Sequence, residues 1–532
     1  MSDNKDTHTT TEAASQADLG SENHDDVDTA WEFLNSHRAI TTAEDTDAVD
    51  IDALRRKIDW HIVPLMFACY LMQFLDKVIL NVRIIPPPPK PISASGVQTD
   101  RFSLPDCVQY AAVMGLKQDL NLQGNDFSNI ATFLFVGLLC FEVVNVYFLQ
   151  AVPAAKWLGF NVTLWGVATA CGAAAYNYRT LLVTRVFLGM FEATIGPSLM
   201  LISSQWYTKS EQALRFSFWY TGLGIGQILG GAISYGFQHI APGQASLEGW
   251  RIMFVTLGCV TVTIGLSTAL FIPDTPMQAG WLSDADKVAL LKHTGIQSRK
   301  FRPKEILEAL CDPQLYLMLL SVVLLSVSSG VVTTYSATLI ANLGYDSKHA
   351  ALMNMPSGAV SIFFTLLVGF GVRKQSHRWA WIIGCIIPAI IGGALMSFLP
   401  ATNRSGILAG LYLVNAVVAP LAIFYNWTAA NFGGATKRAF AAAIVSGSFS
   451  LGNIIGPQTF QSRDAPDFRP AKLAVMGTQA GCAATTFALF LYYACQNKRR
   501  GSRAEQRESE FLSPEAWSTM TDRENKQFRY IY

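Results

Sequence analysis

Two stretches decide the fold class: "NIATFLFVGLLCFEVVNVYFLQAV", residues Asn129–Val152, and "MLLSVVLLSVSSGVVTTYSATLIANLG", residues Met318–Gly344. Wound as helices at about 1.5 Å per residue, each exceeds the roughly 30 Å of hydrocarbon in a bilayer. The rest of the 532-residue chain agrees: 51% of it is hydrophobic and only 15% charged, against about 25% charged in an ordinary soluble domain. The sequence therefore reads as an all-α membrane protein crossing the bilayer many times.

Working outward, about twelve spans are expected, beginning near Ile62, Phe127, Trp157, Leu181, Leu214, Ile252, Leu315, Ala350, Trp379, Ile407, Phe440 and Leu473. The longest polar connection is "PDTPMQAGWLSDADKVALLKHTGIQSRKFRPKEILEALCDP", which divides the chain into bundles at 55–272 and 314–497 about a loop at 273–313. Residues 1–54 are acidic and lack the apolar core of a signal peptide, so a disordered cytosolic tail is expected. A second cytosolic tail is expected over 498–532. Lysine and arginine are retained on the cytoplasmic side of short loops. Arg55, Arg56, Lys57, Lys156, Lys209, Arg215, Arg299, Lys300, Arg373, Lys374, Lys437 and Arg438 all fall on one side if both termini are cytosolic.

Composition also excludes functions. The net charge of +1 is dispersed between apolar blocks, with no basic face for nucleic acid. Nine cysteines are scattered singly, so neither a metal centre nor a disulfide framework is expected. No membrane-depth acidic or histidine cluster suggests an enzyme or a bound cofactor.

The residues that carry chemistry lie at membrane depth, where an ionisable side chain is costly and marks a substrate or proton path. Arg185 and Glu192 are seven apart and share a helix face, their α-carbons about 10 Å apart along the axis. The plainer alternative has Arg185 snorkelling to the interface and Glu192 satisfied by neighbouring hydroxyls. Asp76 and Lys77 are adjacent and splayed by about 100°, so one can face a cavity while the other packs against a neighbour; a position near the membrane surface is the alternative. In the second half Tyr425, Asn426, Trp427, Asn431 and Asn453 lie at membrane depth, where polar amides beside an aromatic suit a planar or carboxylated ligand, or equally bonds between helices. Gln227 and Tyr335 complete the candidate substrate set. The glycines between Gly189 and Gly230 read as close-packing surfaces, since no strand precedes them.

Arg185, Gly189, Glu192 and Pro197 followed by "WYTKSEQALR", then "GWRIMFVTLG", "FIPDTP" and "ATKRAFAAAIVSGSFSLGNIIGPQTFQSRDAP", resemble the fungal allantoate permease branch of the anion:cation symporter family, within the major facilitator superfamily. The resemblance runs from about Arg55 to Lys498. It implies two six-helix bundles rocking about a central site, and proton-driven import of a small organic anion such as allantoate, a ureide or a vitamin acid. It further implies that Lys77 matches a first-span cation and Arg185 and Glu192 a fourth-span pair of substrate-binding arginine and proton-responsive glutamate; Asp76 is taken as a second proton-coupling candidate, and a monomer in the plasma membrane is expected. The alternative function is a substrate sensor without transport, or an inactive product of mis-splicing.

The alternative arises because "FLDKVILN" is separated from "YAAVMGLKQDLNL" by Val82 to Gln109, which includes four consecutive prolines, Pro86 to Pro89. Proline ends a helix by removing an amide donor and clashing with the preceding turn. Excising the segment restores one uninterrupted helix, and Val82-Arg83 and Gln109 are encodable by donor-like and acceptor-like codons. The segment is read as a retained intron, with a proline-rich outer loop as the alternative.

Overall fold

The computed structural model describes residues 49–79, 119–120, 126–237, 249–294, 302–343, 347–400, 402–459, 469–504, 520–525 and 527–532, with a few near 33–36. Its long helices run in chain order as α1 (Ile51–Ile79), α2 (Asp126–Ala151), α3 (Ala154–Gly172), α4 (Tyr178–Glu192), α5 (Ile195–Trp206), α6 (Lys209–Tyr220), α7 (Gly222–Phe237) and α8 (Gly249–Phe271). Then come two short helices, α9 (Asp284–Thr294) and α10 (Pro303–Leu310). The second half holds α11 (Pro313–Asn342), α12 (Ser347–Lys374), α13 (Arg378–Phe398), α14 (Arg404–Val414), α15 (Val418–Asn431), α16 (Ala435–Gln458) and α17 (Arg469–Ala504). Three pairs, α4–α5, α6–α7 and α14–α15, each continue along one span, so the spans number six on either side of α9 and α10. Every starting point expected from the sequence falls inside one of them. Among the described residues, nine helices meet a strict length-and-hydropathy test for crossing a membrane.

Local chemistry sets where the helices begin. The Asn177 side chain accepts from the Thr180 amide, and Thr180 answers from N3, closing a capping box at the start of α4. Thr208 and Glu211 do the same for α6. These caps satisfy amide donors that the first turn of any helix leaves open.

Packing explains the glycines. A Cβ on Gly189 would run into the Leu134 carbonyl of α2, so α2 and α4 approach to backbone contact only because Gly189 lacks one. Gly224 on α7 and Gly358 on α12 meet in the same way, each facing the other's carbonyl oxygen. Small residues permit such close approach in membranes, where dispersion contacts replace the hydrophobic drive. The two halves touch along α2–α16 and α7–α12. Outward-facing Tyr147, Phe271, Phe363 and Phe398 are each more than half exposed, as a lipid-facing surface requires and a water-facing one would not tolerate in such number.

The segment 82–109 lies outside the described residues, and α1 is described up to Ile79. The described part of the C-terminal segment, expected as a cytosolic tail, packs against the second bundle. Residues 520–525 and 527–532 fold back across the ends of α11, α13, α15, α16 and α17, on the face that carries α10. Lys437, fully buried, reaches Glu308 at 2.8 Å, Asp312 at 2.9 Å and Asp522 at 2.7 Å. Tyr530 donates to Asp522 at 2.7 Å and stacks on Tyr493. Burial and the Asp522 carboxylate push its phenol well above the ordinary range, so it stays a donor.

Candidate functional site

The site is built from α1 upward. Tyr70, Gln73 and Lys77 recur at helical spacing on one face of α1 and turn toward the seam between the bundles. Together with Leu138, Glu192, Gly196, Leu421, Tyr425, Ser446 and Phe449 they enclose a cavity of about 20 Å³. That is room for a water and not for an organic acid, so this conformation is closed around its centre.

Lys77 Nζ lies 2.5 Å from Glu192 Oε1, and Gln73 Nε2 donates to the same oxygen at 2.8 Å. The ammonium also sits over the rings of Phe135 and Phe449, 5.6 and 5.3 Å from their centroids, an arrangement that stabilises a cation through the ring quadrupole. Phe135 belongs to the first half and Phe449 to the second. Lys77 is thus held by both bundles and by a carboxylate at once.

Asp76 points the other way, as the splay of adjacent residues dictates. Its Oδ2 faces Arg185 Nη1 at 3.5 Å, and Thr169 donates to Oδ1 at 3.4 Å. The Arg185 guanidinium packs over Phe254, 4.9 Å from the centroid. Arg185 and Glu192, on one face of α4, therefore do not pair with each other; each takes its own partner on α1. Both pairs are buried, where attraction offsets a desolvation cost of several kcal/mol per ion.

The remaining candidates fall elsewhere. Asn426 and Trp427, expected either to bind the ligand or to bond between helices, are not among the residues lining this cavity. Tyr425 faces the centre, so the next two positions are rotated by about 100° and 200° away from it. Asn426 accepts from Arg378 Nε at 2.7 Å, while Trp427 Nε1 donates to the Ile531 carbonyl at 2.7 Å. Trp427 thus serves the C-terminal segment, with Asn431 exchanging two further bonds with Ile531, while Asn426 holds the Arg378 side chain, whose backbone amide donates to the Tyr532 carbonyl at 2.7 Å. Gln227 donates to Asn354 at 3.5 Å, bridging α7 and α12. Asn453 continues the stripe of Ser446 and Phe449, with its amide turned to the Phe449 carbonyl of its own helix. The side chain of Tyr335 lies outside the described residues.

The candidate set from the sequence omitted Gln73, Tyr70, Ser446 and the two phenylalanines. Gln73 had a signal, being four residues from Lys77 on the same face. The phenylalanines had none, since nothing distinguishes Phe135 or Phe449 from other apolar residues until two helices far apart in sequence meet.

Comparison with known proteins supports this architecture. The Major Facilitator Superfamily pattern matches residues 106–457. The thiamine pathway transporter of Saccharomyces cerevisiae is 33% identical over 96% of this chain and 95% of its own length. The allantoate permease of the same yeast is 30% identical over 95% of this chain and 90% of its own. The solved structure of the proton:xylose symporter XylE superposes with a TM-score of 0.62 at 14% identity, over 82% of this chain and 96% of that one, which speaks to the fold alone. The chain belongs to the major facilitator superfamily, in its fungal allantoate-permease-like branch, and is a multi-pass membrane transporter.

Proposed function

We propose that the chain is a proton-coupled importer of a small organic anion, a carboxylate in the range of allantoate, other ureides or vitamin acids, working as a monomer in the plasma membrane with both termini cytosolic. The observation that carries this reading is the Lys77–Glu192 bridge at the centre of the seam. A cation already satisfied by an internal carboxylate binds an external anion poorly. Protonating Glu192 removes that competitor and frees Lys77 for a substrate carboxylate, which links proton binding to anion binding with equal effect in both directions. Arg185 offers a second donor fork, which can grip a carboxylate through two parallel bonds once Asp76 gives way. The likeness to an allantoate permease makes allantoate the first probe.

The test is uptake of radiolabelled allantoate and short monocarboxylates into yeast expressing the chain, with and without an inward proton gradient. Gradient-dependent accumulation in the wild type, lost in Glu192→Gln while exchange persists, is expected. Undiminished uphill uptake by Glu192→Gln would overturn the coupling role.

A further inference from the structure

The four charged groups just described balance: Lys77 and Arg185 against Glu192 and Asp76. A fifth ionisable group, Glu142 on α2, stands outside that balance. It is 2% exposed, and both carboxyl oxygens are buried without a hydrogen-bond partner among the described residues. It lies one helical turn beyond Leu138, which lines the cavity, on the side of α2 that meets α16. A Cβ built on Gly447 of α16 would sit 3.9 Å from Glu142 Cγ, so the carboxyl occupies the seam between the halves, in space that Gly447 leaves open.

Among the described residues, the groups around it offer no counter-charge. From α16 it meets the Ser446 hydroxyl, and from α15 the Tyr425 phenol lies nearby. From α4 the nearest charge is Glu192, of like sign, already taken by Lys77 of α1. Arg185 is turned to Asp76. On the α3 side, Lys156 donates to the Ala269 carbonyl, and Asn145, one position short of a turn further along α2, spends its amide on Ala193, Thr194 and Trp157. An unpaired carboxylate in a dry interior is among the most expensive arrangements a protein can hold, whereas the neutral acid is tolerated.

We propose that Glu142 is a second proton-holding carboxyl, neutral while the seam is closed and distinct from Glu192. It rests on the reading of the chain as a proton-coupled carrier and deepens it: rocking of the bundles about the α2–α16 seam admits water to Glu142 and lets its proton leave, while the closed seam retains it. The proton passes from the Glu142 carboxyl to water: an O–H bond at Glu142 breaks as one forms on the water, leaving the carboxylate and a hydronium ion.

Infrared spectra of the full chain reconstituted in lipid at neutral pH test the assignment without any substrate. The wild type is expected to show the carbonyl stretch of a neutral carboxylic acid, absent from Glu142→Gln, shifted in Glu142→Asp, and retained in Glu192→Gln. A spectrum unchanged by Glu142→Gln overturns the proposal, and correct folding of that variant is verified by an unchanged amide band. With allantoate as the uptake probe, Glu142→Gln is expected to flatten the pH profile of uptake while leaving exchange in place; a profile identical to wild type overturns the coupling role. Failure of the wild type to use a proton gradient would instead sink the proposed function, and the infrared band would still report whether Glu142 holds a proton.

Discussion

Replacing Lys437 with methionine removes the fully buried cation at the heart of the C-terminal docking site. In the wild type the ammonium is fully buried among Glu308, Asp312 and Asp522, and Asp312 and Asp522 are themselves fully buried. Arg523 adds a second, partly exposed cation at 3.4 Å from Asp312, so two positive groups face three carboxylates. Without Lys437 the buried acids are left uncompensated, a change that costs about 3–5 kcal/mol when one partner of a buried pair is lost. Glu308→Gln touches a carboxylate that is 20% exposed and is expected to cost about 1 kcal/mol or less, as partly solvated pairs do. Against a total stability of roughly 5–15 kcal/mol the first change is severe and the second slight. Thermal unfolding in detergent, followed by tryptophan fluorescence, and exposure of an epitope placed after Tyr532 provide the two readouts. Lys437→Met is expected to unfold well below wild type and to release the epitope, and adding Asp522→Asn is expected to recover part of the loss by removing an excess charge. Wild-type unfolding of the single variant, or no recovery in the double, would refute the claim that this cluster holds residues 520–525 and 527–532 in place.

Arg185→Lys keeps the charge but loses the planar fork, so apparent affinity for an anionic substrate is expected to fall about tenfold or more with expression unchanged; concentration-dependent uptake measures it. Gly189→Leu must push α4 away from the Leu134 carbonyl and is expected to cost about 1–3 kcal/mol as overpacking, read as a lower unfolding temperature. Asn403, exposed at the start of α14 and followed by Arg404 and Ser405, forms a glycosylation sequon; an Asn403→Gln-sensitive mass shift would place that loop on the outer side, and cytosol-only labelling of the same loop would reverse the proposed orientation. Joining Asn81 to Tyr110 is expected to raise expression and uptake if 82–109 is retained intron, and transcripts that all keep the segment, with lower uptake by the deletion, would establish a genuine loop.

The sequence by itself determined the helices and their division. Apolar blocks longer than a bilayer's hydrocarbon core, separated by basic loops, have few solutions, because lipid leaves no partner for an unpaired backbone amide. The buried charged residues of α1 and α4 stood out for a related reason: ionisable side chains are costly at membrane depth, which singled out Lys77, Arg185 and Glu192 as candidates. What only the tertiary structure decided is who meets whom. Helical periodicity placed Arg185 and Glu192 on one face, yet their partners, Asp76 and Lys77, are set by how α1 lies against α4. Asn426 and Trp427 share a short run with Tyr425, and rotation about a single helix sends Asn426 to Arg378 and Trp427 to Ile531 of the C-terminal segment while Tyr425 looks into the cavity. That segment is polar and far along the chain, so no periodicity announces that Asp522, Tyr530 and Ile531 return to Lys437, Tyr493 and Trp427. Glu142 is open to the same membrane-depth argument, though the candidate set from the sequence omitted it; what only the packing of α2 on α16 adds is that, among the described residues, no cation pairs with its carboxyl, because pairing is a property of neighbours brought together by the fold.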